Sequence, residues 1–124
     1  MTGTGGTGTH RNYGIFVFDE TSVLANGDIT FIGTGGEGTA EQNRGIFLTA
    51  GSIVESTGGA VTMTGTGGTG TEDLVGVVAS NQTSVFANGD ITFIGTGGDG
   101  TGAFNVGIDL RNGSIVESIG GAVA

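Results

Sequence analysis

The chain has 124 residues, 29 of them glycine and 19 threonine, with no Pro, Cys, Trp or Lys, a single His and a formal net charge of −9. Lacking Cys and Lys, it excludes thiolate metal sites, disulfide frameworks and Walker-type phosphate loops, and its negative charge repels a phosphate backbone, so nucleic acid is not an expected partner. No apolar run reaches the ~18 residues of a membrane span, and no basic segment leads into an apolar stretch at the start, so neither a span nor a signal peptide is expected.

Glycine-rich chains often cannot bury enough apolar surface to offset the entropy of ordering. Internal repetition argues for order here: residues 1–62 and 63–124 align without a gap and match at 41 of 62 positions. A looser period divides each copy in two, giving units 1–30, 31–62, 63–92 and 93–124 within one domain, 1–124. Even units are two residues longer, and the extra length falls where Ser56-Thr57-Gly58-Gly59 and Ser118-Ile119-Gly120-Gly121 replace Asn26-Gly27 and Asn88-Gly89.

In chain order, the first recurring run is Gly14-Ile-Phe-Val-Phe18, with copies Gly45–Thr49, Gly76–Ser80 and Gly107–Arg111. Its second and fourth positions are always apolar, whereas its third and fifth vary, which assigns an inward and an outward face to a strand. The second run is Ser22-Val-Leu-Ala25, aligned with Ser52–Glu55, Ser84–Ala87 and Ser114–Glu117; its adjacent apolar pair suggests a bend. The third is Asp28–Gly33 with its copy Ala60–Gly65, apolar at alternate positions. None is long enough for a helix.

One unit cannot enclose a core, but stacked units align like with like. The inward ladders are then Ile15, Ile46, Val77, Ile108; Val17, Leu48, Ala79, Leu110; Ile29, Val61, Ile91, Val123; and Met1, Phe31, Met63, Phe93. This pattern predicts an all-β parallel β-solenoid of four coils of about 31 residues, with three short strands per coil and rungs ~4.8 Å apart. Glycines at the corners are expected to supply positive φ and close backbone approach.

The segments Ala25-Asn-Gly-Asp-Ile-Thr-Phe-Ile-Gly-Thr-Gly-Gly36, Asn43-Arg-Gly-Ile-Phe-Leu48 and Gly51-Ser-Ile-Val-Glu-Ser56 resemble the repeats of filamentous-haemagglutinin-type bacterial adhesins. The resemblance covers nearly the whole chain and implies a right-handed β-helix shaft of a secreted surface protein, so an extracellular or cell-surface location in the parent. The export signal and N-terminal secretion domain of such proteins are missing, which suggests an excised or redesigned piece of shaft.

Four GxGxxG matches, beginning with Gly3–Gly8, lack the following helix that a dinucleotide site needs, so no cofactor is expected. The calcium-binding nonapeptide of toxin solenoids needs Asp where His10, Ala40, Glu72 and Gly102 stand, and Glu37, Glu72 or Asp99 alone supplies too few oxygens, so no metal is expected. Asp28 with Asp90, and Glu55 with Glu117, recur two rungs or ~10 Å apart, a spacing that serves inverting glycosidases. They recur because the repeat recurs, with no basic group or apolar pocket beside them, so no catalysis is expected. A polysaccharide-active enzyme ranks last.

Two candidate binding faces remain. Outward threonines at Thr30, Thr34, Thr62, Thr64, Thr66, Thr92 and Thr96 form an array similar to the ice-binding face of antifreeze solenoids, although Thr is also favoured on any exposed strand. Of the 21 differences between the copies, 17 fall at 10–20 and 40–50 with their counterparts, which marks Tyr13, Phe16, Phe18, Phe47, Asp109 and Arg111 as a varied surface suited to a host glycan or protein. Neither end carries a capping helix, so the coil ends are expected to expose unpaired edges and join copies head to tail as a homo-oligomer.

Overall fold

Branched and aromatic side chains at alternate positions can be buried only if each winding of the chain lays its inward face over the same face of the winding before it. The computed structural model describes all 124 residues and shows this arrangement, with strands and turns but no helix. The first coil carries β1 (Thr2–Thr4), β2 (Thr7–Gly8), β3 (Ile15–Val17) and β4 (Ser22–Ala25). The second carries β5 (Ile29–Thr34), β6 (Glu37–Gly38), β7 (Ile46–Leu48) and β8 (Ile53–Ser56). In the third are β9 (Val61–Thr66), β10 (Thr69–Gly70), β11 (Val77–Ala79) and β12 (Ser84–Ala87), and in the fourth β13 (Ile91–Thr96), β14 (Asp99–Gly100), β15 (Ile108–Leu110) and β16 (Ile115–Ser118).

Equivalent strands pair in parallel down the stack, giving four four-stranded sheets, β1-β5-β9-β13, β2-β6-β10-β14, β3-β7-β11-β15 and β4-β8-β12-β16. The chain is therefore a parallel β-solenoid of four coils. The predicted inward ladders hold: Ile15 pairs Ile46, Ile46 pairs Val77, and Val77 pairs Ile108, while Phe31 pairs Met63 and Met63 pairs Phe93. Twelve ladder residues, all but the exposed Met1, Ile108, Leu110 and Val123, join Val54, Val85 and Ala87 of the fourth sheet in a core cluster of 15 buried residues.

Three details differ from the sequence expectation. Each coil has four strands instead of three, because β2, β6, β10 and β14 are two-residue strands of Thr, Glu or Asp followed by Gly, with no apolar face to betray them. The serine-aligned second run is one residue out: Ser22 pairs Ile53, and Val23 pairs Val54. The shift arises because the two extra residues of an even coil are divided, one between β6 and β7 and one between β8 and β9. Paired residues are thus offset by 31 throughout the third and fourth sheets. The run has no bend; its inward column is Val23, Val54, Val85 and Val116, buried or half-buried in every coil.

The glycines also serve a different purpose. Only Gly51, Gly70 and Gly113 take positive φ, whereas ten other residues do so, among them the column Arg11, Gln42, Asp73 and Phe104 at 61°, 65°, 57° and 60°. What demands glycine is the approach of the first and third sheets' backbones: a Cβ on Gly33 would stand 2.3 Å from the Gly45 carbonyl oxygen, well inside contact distance. The stacked glycines let the two walls touch beyond the apolar core, so the cross-section narrows toward the corner that carries the second sheet.

Candidate functional site

The varied surface lies on the outside of the third sheet and the corner before it. Along β3 the side chains alternate, burying Ile15 and Val17 and turning Phe16 outward. Parallel pairing of Phe16 with Phe47 stacks their rings 5.2 Å apart at 12°, and Phe18 stacks on Phe16 at 4.5 Å and 11°. Tyr13, delivered by the corner, tilts against both Phe16 (4.9 Å) and Phe47 (5.2 Å), and its hydroxyl donates to Gln42 Oε1 at 3.2 Å. Desolvation raises the Tyr13 pKa above its ordinary 10.0, an effect that Arg44 and then Arg11 partly oppose.

Beneath this cluster is a feature the sequence reading missed. Arg44, its side chain 4% exposed, forms an ion pair with Asp73 of the next coil, and its guanidinium lies 4.3 Å from the centre of the Phe47 ring. Arg44 Nε and Asp73 Oδ1 are buried without hydrogen-bond partners. The signal was present in the sequence, since Arg44 is replaced by Val106 in the second copy and Asp73 takes the place of Arg11. It becomes readable only once the 31-residue offset sets Asp73 one rung above Gln42.

Asp109 and Arg111 do not join the aromatic cluster. Phe47 pairs Val78, which is fully buried, and Val78 pairs Asp109, so two rungs separate Asp109 from Phe47. Asp109 instead pairs with Arg111 at 3.0 Å on the last coil. The aromatic face therefore belongs to the first two coils and the charged pair to the fourth.

The threonines of the first sheet stack in columns. Thr30 pairs Thr62 and Thr62 pairs Thr92; Thr34, Thr66 and Thr96 form a second column, and Thr64 stands between Ile32 and Ile94. Beside the second column runs an open groove of about 390 Å³, floored by paired glycines from Gly35 to Gly98 and flanked by Glu37, Thr69 and Asp99. The groove follows the stacking direction and presents hydroxyls and carboxylates with no apolar side chain.

Of the recurrent acids, Asp28 and Asp90 hold corners. Asp28 Oδ1 accepts the Ala60 N–H at 2.8 Å, and Asp90 Oδ1 accepts that of Ala122 at 2.9 Å. Glu55 and Glu117 lie two rungs apart with Phe86 between them. His10 is exposed, and no group of three His, Asp or Glu side chains converges as metal ligands would. No helix is long and apolar enough to cross a membrane. No family model matches the chain, and neither a curated protein nor a solved structure does.

Proposed function

We propose that the chain is a non-catalytic structural scaffold, a segment of an extracellular bacterial adhesin shaft whose coils continue from one copy into the next. A parallel β-solenoid suits this work because every rung offers the next an unpaired strand edge and an apolar cross-section. The observation that carries the reading is the contrast down single columns: Ile46 and Val77 are fully buried while Ile108 is 41% exposed, and Met1 at the other end is 67% exposed. The 62-residue repeat supports head-to-tail growth, since a second copy placed on the fourth coil would meet it with a first coil that matches the third at 19 of 30 positions and keeps its inward positions apolar. Heterologous contacts of this kind extend without closing. Sedimentation and light scattering across a concentration series test the reading. The average mass should climb above 12.1 kDa as concentration rises, and a constant monomer mass at the highest concentration would overturn self-association.

A second reading, binding of a glycan or ice through the threonine face, is favoured by the hydroxyl-lined groove beside Thr34, Thr66 and Thr96. A glycan array and a thermal-hysteresis assay test it; silence in both returns the face to a solvated strand surface.

A further inference from the structure

The tetrapeptide Ala-Asn-Gly-Asp occurs twice, at 25–28 and at 87–90, followed by Ile in both cases. Both copies form the corner from the fourth sheet to the first, but one lies in the outermost coil and the other in an inner coil. At the inner corner the Gly89 N–H donates to the Gly59 carbonyl at 2.9 Å, and the Asn88 side-chain amide donates to the Thr57 carbonyl at 2.7 Å. The coil beneath thus holds both groups. At the outer corner no coil lies beneath. The Gly27 N–H has no hydrogen-bond partner, and neither does the Asn26 side-chain nitrogen. The Asn26 side-chain oxygen accepts the Thr57 hydroxyl at 2.8 Å, a contact that draws electron density from its Cγ.

From this difference we infer that Asn26 is a site of spontaneous deamidation, and that the solenoid protects its twin Asn88. Hydroxide removes the unbonded Gly27 amide proton, and the nitrogen attacks Asn26 Cγ, closing a succinimide. The Cγ–N bond of the side chain breaks, and the departing nitrogen takes a proton from water and leaves as ammonia. Water then adds to one of the two ring carbonyls and opens the ring to aspartate or isoaspartate. The sum is one water consumed and one ammonia released, with no change of oxidation state. Gly27 has no side chain to obstruct the attack, and a Cβ built there would meet nothing within 4 Å.

The product adds a carboxylate next to Asp28, which already secures the corner through the Ala60 N–H. Isoaspartate would in addition route the main chain through the side-chain carbon and lengthen the link from β4 to β5. Of the two Ala-Asn-Gly-Asp corners, deamidation would therefore loosen the outer one first.

The experiment holds the folded chain at mildly alkaline pH, diluted until light scattering gives 12.1 kDa, so that the outcome is independent of head-to-tail association. Peptide mass spectrometry follows the two sites, which Leu24 and Phe86 distinguish. Asn26 is expected to convert at least ~10-fold faster than Asn88, because the inner site must first break two hydrogen bonds. In denaturant the two rates should converge. Equal rates in the folded chain, a faster Asn88, or a rate gap that persists in denaturant would each overturn the inference.

Discussion

The two inner coils and the two terminal coils are built from the same columns of residues, yet they are different environments. Leu48 is fully buried in the second coil, and its equivalent in the fourth, Leu110, is 45% exposed. Inner strands pair on both sides, whereas β3 and β15 each pair on one. The same side chain is thus a core residue or a surface residue according to how many neighbours its coil has. Stability in such a stack resides in the interfaces between coils, and a terminal coil owns one interface where an inner coil owns two.

Cavity-forming substitutions should separate the two environments most. Leu48→Ala is expected to cost about 2–5 kcal/mol, the range for a buried leucine, and Leu110→Ala less than about 1 kcal/mol, because its side chain is already in part hydrated. Denaturant melts of the two variants, read with the m-value, make the comparison. Matching losses would show that the ends are as well packed as the middle.

Ion pairs supply a smaller contrast. Asp73→Ala removes the partner of buried Arg44 and should destabilise the chain by about 2 kcal/mol, below the usual range for a fully buried pair because Asp73 is 20% exposed. Asp109→Ala breaks the exposed pair with Arg111 on the last coil and should change stability by less than about 0.5 kcal/mol. Thermal melts of both variants at matched salt test the difference, and a larger loss from Asp109→Ala would reverse the assignment of buried and exposed pairs.

Backbone strain gives a gain of comparable size to a surface ion pair. Ala50 has φ 55° where its counterparts in the column are Asp19, Asn81 and Asn112, residues that tolerate the left-handed region better. Ala50→Asn should therefore stabilise by about 0.5–1 kcal/mol in a denaturant melt, and no gain would indicate that the turn is unstrained.

The smallest effect is alkaline. Burial raises the Tyr13 pKa in the folded chain, so the folded state holds the phenolic proton more tightly than the unfolded state does. Its contribution to stability is complete below pH 10.0, the unfolded value, and is lost as pH rises through the higher folded value. Tyr13 is the sole tyrosine, so tyrosinate absorbance follows it without interference. Tyr13→Phe should remove this part of the alkaline decline; an unchanged decline would place its cause elsewhere.

Much of the fold could be read from residues that repeat with a period of two. Ile15, Val17, Ile29 and Phe31 recur with apolar counterparts down the stack, which fixes both the strands and their facing. Thr7-Gly8 and its copies offered no such signal, because a two-residue strand made of Thr and Gly has no apolar side to bury. The offset of the fourth sheet is not legible in the sequence, because Ser22 and Ser52 look equivalent although the backbone pairs Ser22 with Ile53. Of the varied surface, Tyr13, Phe16, Phe18 and Phe47 meet; Asp109 and Arg111 lie apart because proximity along the axis depends on rung number, which residue variability does not report. Arg44 and Asp73 were invisible until that numbering was known.

The absence of cysteine allows spin labels to be placed in pairs on the outward face of the first sheet at Thr30, Thr62 and Thr92. Dipolar broadening should be strongest for the 30/62 and 62/92 pairs, one rung or ~5 Å apart along the axis, and weaker for 30/92, two rungs or ~10 Å apart. Equal broadening in all three pairs, or none in the adjacent pairs, would contradict a chain wound as stacked parallel coils.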